Sequence, residues 1–177
     1  IYFCAKHILL TIYINQSLST IYNTGTAIAK SGLWIRARSA IHNALQFWEY
    51  AKEGNLTMIK MSLDNSKTPV DCPHTGIHGF DRTALHLACA HGRLNAAKYL
   101  INEKQADVNK QDRDGNTPLH LATMNNSILV VNTLLEMKCE AMKKNVKGET
   151  ALKIALKMEH YDIVFLIREA TGIKQGD

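Results

Sequence analysis

The sequence predicts an all-α fold made by repetition, a solenoid of stacked helix-turn-helix units. Three observations carry that prediction. First, the hexapeptide Thr83–Ala84–Leu85–His86–Leu87–Ala88 returns 34 residues on as Thr117–Pro118–Leu119–His120–Leu121–Ala122, and 33 residues later as Thr150–Ala151–Leu152–Lys153–Ile154–Ala155. A period near this length is that of stacked helical units. Second, each copy sets a large and a small apolar residue three apart, as Leu119 and Ala122, so that both share a helical face and a second helix can approach closely. Third, an apolar second segment follows: Ala96, Ala97, Tyr99, Leu100 and Ile101, then Val130, Val131, Leu134 and Leu135.

The stretch from Asp114 to Ala122 shows how one unit begins. Asp114–Gly115 suits a tight turn, because glycine supplies positive φ and aspartate can bond its own backbone. Thr117 can cap the helix that follows, and Pro118 in its first turn loses no needed hydrogen bond. A glycine ends the first helix at Gly54 and at Gly92; Asn126 and Glu159 take that place later. Asparagine tolerates the left-handed conformation, glutamate much less. Ala106–Asp107–Val108–Asn109 runs on toward the next turn. Taken together, these residues resemble the ankyrin repeat, whose Thr-Pro-Leu-His signature stands intact once and slightly altered twice. The resemblance covers about residues 47–172 and implies helix-turn-helix units with hairpin loops, about four in number, including a degenerate N-terminal cap and an atypical C-terminal repeat. Two departures stand out: Lys153 replaces the signature histidine, and one extra residue sits near Glu103–Lys104–Gln105, where the family usually has a glycine.

In chain order, residues 1–33 are expected to be an extension, disordered or artefactual. The first residue is Ile and the first methionine is Met58, so a fragment, a processed product or an incomplete gene model is expected. Residues 8–14 form an apolar run of seven, short of the roughly 18–20 that span a bilayer. Lys6 and His7 before this run give it a faint signal-peptide character, and the acid-free, Ser/Thr-rich opening has that of an organellar transit peptide. Both alternatives stay open. Asn-x-Ser/Thr triplets at Asn15, Asn55 and Asn125 matter only in a secreted chain, and the last two fall at helix junctions.

The repeat domain is expected over residues 34–172, with a tail at 173–177. Trp34, Ala37, Ile41, Ala44, Leu45 and Trp48 recur at three- and four-residue steps, an apolar helical stripe running into Phe47–Gly54. A second helix with Met58, Ile59, Met61 and Leu63 completes a lead helix and capping repeat over 34–79. Phe47, Trp48 and Tyr50 stand where small residues are usual, which suits a terminal unit with no neighbour on one side. The connection from Val70 to Thr83 takes 13 steps against nine from Val108 to Thr117, so four extra residues lie within 72–80, with Ile77 and Phe80 apolar in a loop. Repeats follow at 80–112 and 113–145, and a terminal one at 146–172. The last helix carries Tyr161, Ile163, Val164, Phe165, Leu166 and Ile167, with Phe165 where the earlier units have Lys98 and Asn132. So apolar a terminal helix points to a chain continuing past Asp177 or to a partner covering this end.

Composition narrows the function classes. A hydrophobic fraction of 46% is enough for a core in a chain of 177 residues. Of the net charge of +5, residues 1–48 hold +4, as Lys6, Lys30, Arg36 and Arg38 without an acid, leaving about +1 for the repeats. That is too little for a nucleic-acid face; Lys143, Lys144 and Lys147 are expected at a solvated hairpin tip. Cys4, Cys72, Cys89 and Cys139 have no framework spacing and are expected as free thiols, Cys89 in the core. Cys72, His74 and His78, with His86, Cys89 or His91, have zinc-type donors, but no CxxC pair anchors them and three occupy ordinary repeat positions. There is no phosphate-binding glycine loop and no nucleophile–base arrangement. Neither catalytic, cofactor-binding nor metal-binding residues are therefore assigned, and no enzyme is expected.

The resemblance implies that His86 and His120 bond across to the neighbouring repeat, and that binding uses hairpin tips and the exposed side of each first helix. Transferred position by position, the partner-binding residues are Phe80, Arg82, Ala90 and His91, then Arg113, Asp114, Asn116, Met124 and Asn125, then Val146, Lys147, Glu149, Lys157 and Met158. Phe80 and Arg113 are of anchor type; Met124 and Met158 either mould to a partner or pack between inner helices. The expected function is a non-enzymatic adaptor or scaffold, monomeric, binding a protein in cytoplasm or nucleus, without nucleic acid or membrane. The alternative is a regulatory segment of a larger enzyme or channel.

Overall fold

The computed structural model describes residues 46–65, 69–74 and 80–173. The chain divides into two compact units, residues 1–46 and 47–177, and all that follows concerns the second. The stripe from Trp34 to Leu45, the loop residue Ile77, His78 and Cys4 lie outside the described residues.

The described residues contain eight helices and no strand: α1 (46–53), α2 (Leu56–Asn65), α3 (Ala84–Ala90), α4 (Leu94–Asn102), α5 (Pro118–Met124), α6 (Ile128–Glu136), α7 (Ala151–Lys157) and α8 (Tyr161–Thr171). They form successive helix pairs. First helices α3, α5 and α7 pack side by side in one layer, and second helices α2, α4, α6 and α8 in another. Among the described residues no helix is long and apolar enough to cross a membrane.

The alternation of large and small residues explains the close layer of first helices. Ala84, Ala88, Ala122, Ala151 and Ala155 are wholly buried, with Leu85 and Leu119 filling the space between units. Behind them Leu100, Val131, Leu134, Ile163 and Ile167 from the second helices close the core. At the N-terminal end Phe47, Trp48 and Ala51 are buried. Trp48 donates its indole N–H to the Cys72 carbonyl at 3.2 Å, and its ring lies 4.5 Å from that of His74.

Each first helix ends in one left-handed residue that turns the chain into the second. Gly54 (φ +78°), Gly92 (+65°), Asn126 (+52°) and Glu159 (+60°) occupy that place in turn. Gln105 (+55°) and Lys138 (+54°) do the same after α4 and α6, so the residue near 103–105 is absorbed by a left-handed turn rather than by a glycine. A side chain at positive φ costs about 1 kcal/mol. Glu159 is exposed and makes no ion pair among the described residues, so Glu159→Gly is expected to raise stability by about 1 kcal/mol. Urea unfolding checks it: the midpoint should rise with an unchanged slope, and an unchanged midpoint would count against backbone strain at this turn.

One charge expectation is corrected. Lys144 and Lys147 are exposed, but Lys143 is half-buried, its ammonium 3.3 Å from the Asn109 carbonyl and 3.5 Å from Glu140. It ties two units together and does not belong to the solvated tip.

Candidate interaction surface

Two of the hairpins between units are each built on one buried side chain, Asp112 and Asn145. Asp112 takes the N–H groups of Asp114 (3.0 Å) and Asn116 (2.8 Å) on Oδ1, while its backbone closes the turn with Asn116 and Gly115. One period later Asn145 takes the N–H groups of Lys147 and Glu149, both at 3.0 Å, with the same backbone closure. Gly115 sits at φ +73°, and a Cβ there would lie 2.8 Å from the Val146 amide nitrogen, so a neighbouring hairpin as well as the turn excludes a side chain.

These turns are locked to one another along the stack. The Arg113 N–H donates to the Phe80 carbonyl at 2.8 Å and the Val146 N–H to the Asp114 carbonyl at 2.9 Å. Arg82 donates to Asp112 Oδ2 at 3.2 Å, and Asn145 Nδ2 donates to Asn116 Oδ1 at 3.1 Å. The two histidines join helix to hairpin. The Thr83 N–H points at His86 Nδ1 from 3.2 Å, so that nitrogen must accept and Nε2 carries the proton, donating to the Asn116 carbonyl at 3.1 Å. His120 repeats this between the Thr117 N–H and the Glu149 carbonyl. Burial holds His86 neutral, lowering its pKa to about 4 against the favourable influence of the Asn116 carbonyl and Asp112. His120 is lowered for the same first reason.

What the network leaves exposed is a strip of hairpin tips and first-helix ends. Phe80, His91, Arg113, Asp114, Asn125, Val146, Lys147, Lys157 and Met158 are exposed, Val146 to 77%. Arg82, Met124 and Glu149 are half-buried. The Arg82 guanidinium lies 5.2 Å from the Phe80 ring centroid, Arg113 bonds Asp81 through two nitrogens at 3.3 Å, and Lys157 stands 3.5 Å from Glu149. Phe80 lies in the left-handed region, at φ +49°. Burial and the nearby cations Lys52, Arg93 and Arg82 lower the His91 pKa, opposed by Glu49.

Two expected surface residues are corrected. Ala90 is 8% exposed and Asn116 5%. Ala90 ends the close-packed face of α3, and Asn116 is held by Asn145 on its side chain and His86 on its carbonyl. Lys52 and Glu53, outside the expected set, are both exposed, and they stand before Gly54 as Ala90 and His91 stand before Gly92. That offset was visible in the sequence. Asp112 lies outside the expected set as well; its signal is an Asx turn three residues before Gly115.

Three of the zinc-type residues are engaged otherwise, and His78 lies outside the described residues. His86 uses both ring nitrogens, His74 stacks on Trp48, and Cys89 is a wholly buried free thiol whose pKa burial pushes up. Among the described residues no group of three or more His, Cys, Asp or Glu side chains is placed to hold a metal ion.

Residues 47–145 match the family model described as ankyrin repeats, three copies. Similar proteins include the Regulatory protein NPR1 of Arabidopsis thaliana, 31% identical over 117 residues, covering 66% of this chain and 17% of that protein. The 26S proteasome non-ATPase regulatory subunit 10 of Dictyostelium discoideum is 34% identical over 88 residues, 50% of this chain and 36% of its own length. The Poly [ADP-ribose] polymerase tankyrase of Caenorhabditis elegans is 31% identical over 102 residues, 48% of this chain and 4% of that protein. The chain therefore spans 4% to 36% of the length of these relatives.

Proposed function

The chain belongs to the ankyrin repeat family, and on that footing we propose that it is a non-enzymatic protein-interaction module, an adaptor or scaffold that grips a partner protein along its hairpin tips and first-helix ends. One observation supports this most: the polar side chains that the fold needs are buried in the turns, while Phe80, Arg113 and Val146 stand exposed on hairpins tied to each other by backbone bonds and Met158 stands exposed at the end of α7. Pre-organised aromatic and guanidinium groups are the usual anchors of protein interfaces.

The test is the combined variant Phe80→Ala, Arg113→Ala and Met124→Ala. It is expected to weaken partner capture about tenfold or more. Phe80 and Arg113 are exposed and Met124 half-buried, so stability should change by about 1 kcal/mol or less. Undiminished binding by this variant would sink the surface assignment. Cytoplasm or nucleus suits such a module. In a second reading the same surface regulates a larger enzyme or channel. Similarity to a tankyrase polymerase of which the matched part is only 4% favours that alternative; binding by the isolated repeats that alters no linked activity would argue against it.

A further inference from the structure

The second helices carry exposed apolar side chains that neither the core nor the hairpin strip uses. Ile128 and Leu129 open α6 and are 37% and 68% exposed; Tyr161 and Phe165 on α8 are 67% and 66% exposed. Ile128 and Tyr161 stand 33 residues apart, the repeat spacing, and so do Asn132 and Phe165. Ile128, Asn132 and Glu136 therefore form one column at helical i, i+4 steps, and Tyr161, Phe165 and Glu169 a second on the neighbouring helix. From Tyr161 to Glu169 this column runs about 12 Å along the axis. Exposed apolar side chains gathered in this way mark an interaction site.

Carboxylates bound the patch at both ends. Glu159 and Asp162 lie beside its start, Glu136 and Glu169 at its far end, and all four are exposed. Among the described residues none of the four makes an ion pair; Glu136 accepts only the Asn132 amide, at 2.8 Å. The nearest cations in sequence are Lys157, which ends α7 and stands 3.5 Å from Glu149, Lys138 in the turn beyond α6, and Arg168, half-buried on α8.

We propose that the outer faces of α6 and α8 form a second docking surface, for a basic amphipathic helix whose apolar stripe covers Ile128, Leu129, Tyr161 and Phe165 and whose flanking lysines or arginines meet the four carboxylates. The charge selects this occupant. A second copy pairing patch to patch would set acid against acid, and an anionic lipid surface would be repelled for the same reason. Apolar contact supplies the affinity, and the exposed charges supply orientation and salt sensitivity.

The experiment uses the full chain and two synthetic peptides of roughly 15 residues, long enough for a helix on binding. Both bear the same leucine and isoleucine stripe; one has lysines at both ends and the other glutamates. In fluorescence anisotropy the lysine-ended peptide should bind and weaken as salt is raised. Affinity should fall about tenfold or more in Tyr161→Ala/Phe165→Ala and in Asp162→Lys/Glu169→Lys. Phe80→Ala/Arg113→Ala should leave it unchanged, which separates this surface from the hairpin strip. Equal binding of both peptides, no binding of either, undiminished binding by the two patch variants, or self-association of the chain abolished by Tyr161→Ala/Phe165→Ala would overturn the proposal.

Discussion

Asp112→Ala is expected to destabilise the repeat unit by about 3–5 kcal/mol, a large share of the stability of an ordinary domain. The carboxylate is buried and receives three donors: the N–H groups of Asp114 and Asn116 and the Arg82 guanidinium. Alanine leaves all three without their acceptor. It also loosens the turn carrying Arg113 and Asp114. Asp112→Asn is the informative companion. It keeps an oxygen for the two turn N–H groups, as Asn145 does in the next hairpin, but sets an amide N–H against Arg82. An intermediate loss is expected. Urea unfolding of both variants checks the order, and an Asp112→Ala midpoint equal to that of the parent would rule out Asp112 as the centre of the turn.

The second large effect is a loss of stability in mild acid. Burial keeps His86 neutral in the folded state, with a pKa lowered from 6.5 to about 4. The unfolded chain therefore binds a proton more readily than the folded one between those values. Stability is full above pH 6.5, declines as the pH falls through that window, and levels off near pH 4, where the folded histidine also takes a proton. Across the whole window His86 accounts for about 3 kcal/mol. His120 acts in the same direction. The structural reason is specific: a protonated Nδ1 would confront the Thr83 N–H at 3.2 Å. Urea midpoints measured from pH 7.5 to 5 should fall with pH, and His86→Gln should lower the midpoint at neutral pH while flattening the profile. A flat profile in the parent would show that His86 is accessible to protons in the folded state.

Much of the framework was legible because it is repeated. Three hexapeptides in register located α3, α5 and α7, and the histidine bonds expected from the resemblance are present at His86 and His120. The surface was less legible. Whether a polar residue at a turn faces solvent depends on what the next unit offers it, which one unit's sequence does not display. Asn116 looked free within its own hairpin, yet Asn145, 29 residues on, takes its side chain. Lys143 looked like a tip residue until Asn109 and Glu140 came within reach. Aromatic residues disguise the first unit, although the offset of Lys52 from Gly54 matches that of Ala90 from Gly92.

By itself, then, the sequence determined the period, the helix starts at Thr83, Thr117 and Thr150 and the family, since each rests on residue types at fixed spacing. Only the tertiary structure decided that Glu159 would accept a left-handed backbone, that Asp112 and Asn145 would be the buried centres of the hairpins, and that Tyr161 and Phe165 would stand beside Ile128 and Leu129 on an acid-rimmed outer face. Those outcomes depend on which units become neighbours, and burial is a property of neighbours. Local pattern builds each unit; the stack chooses which of its side chains remain available to a partner.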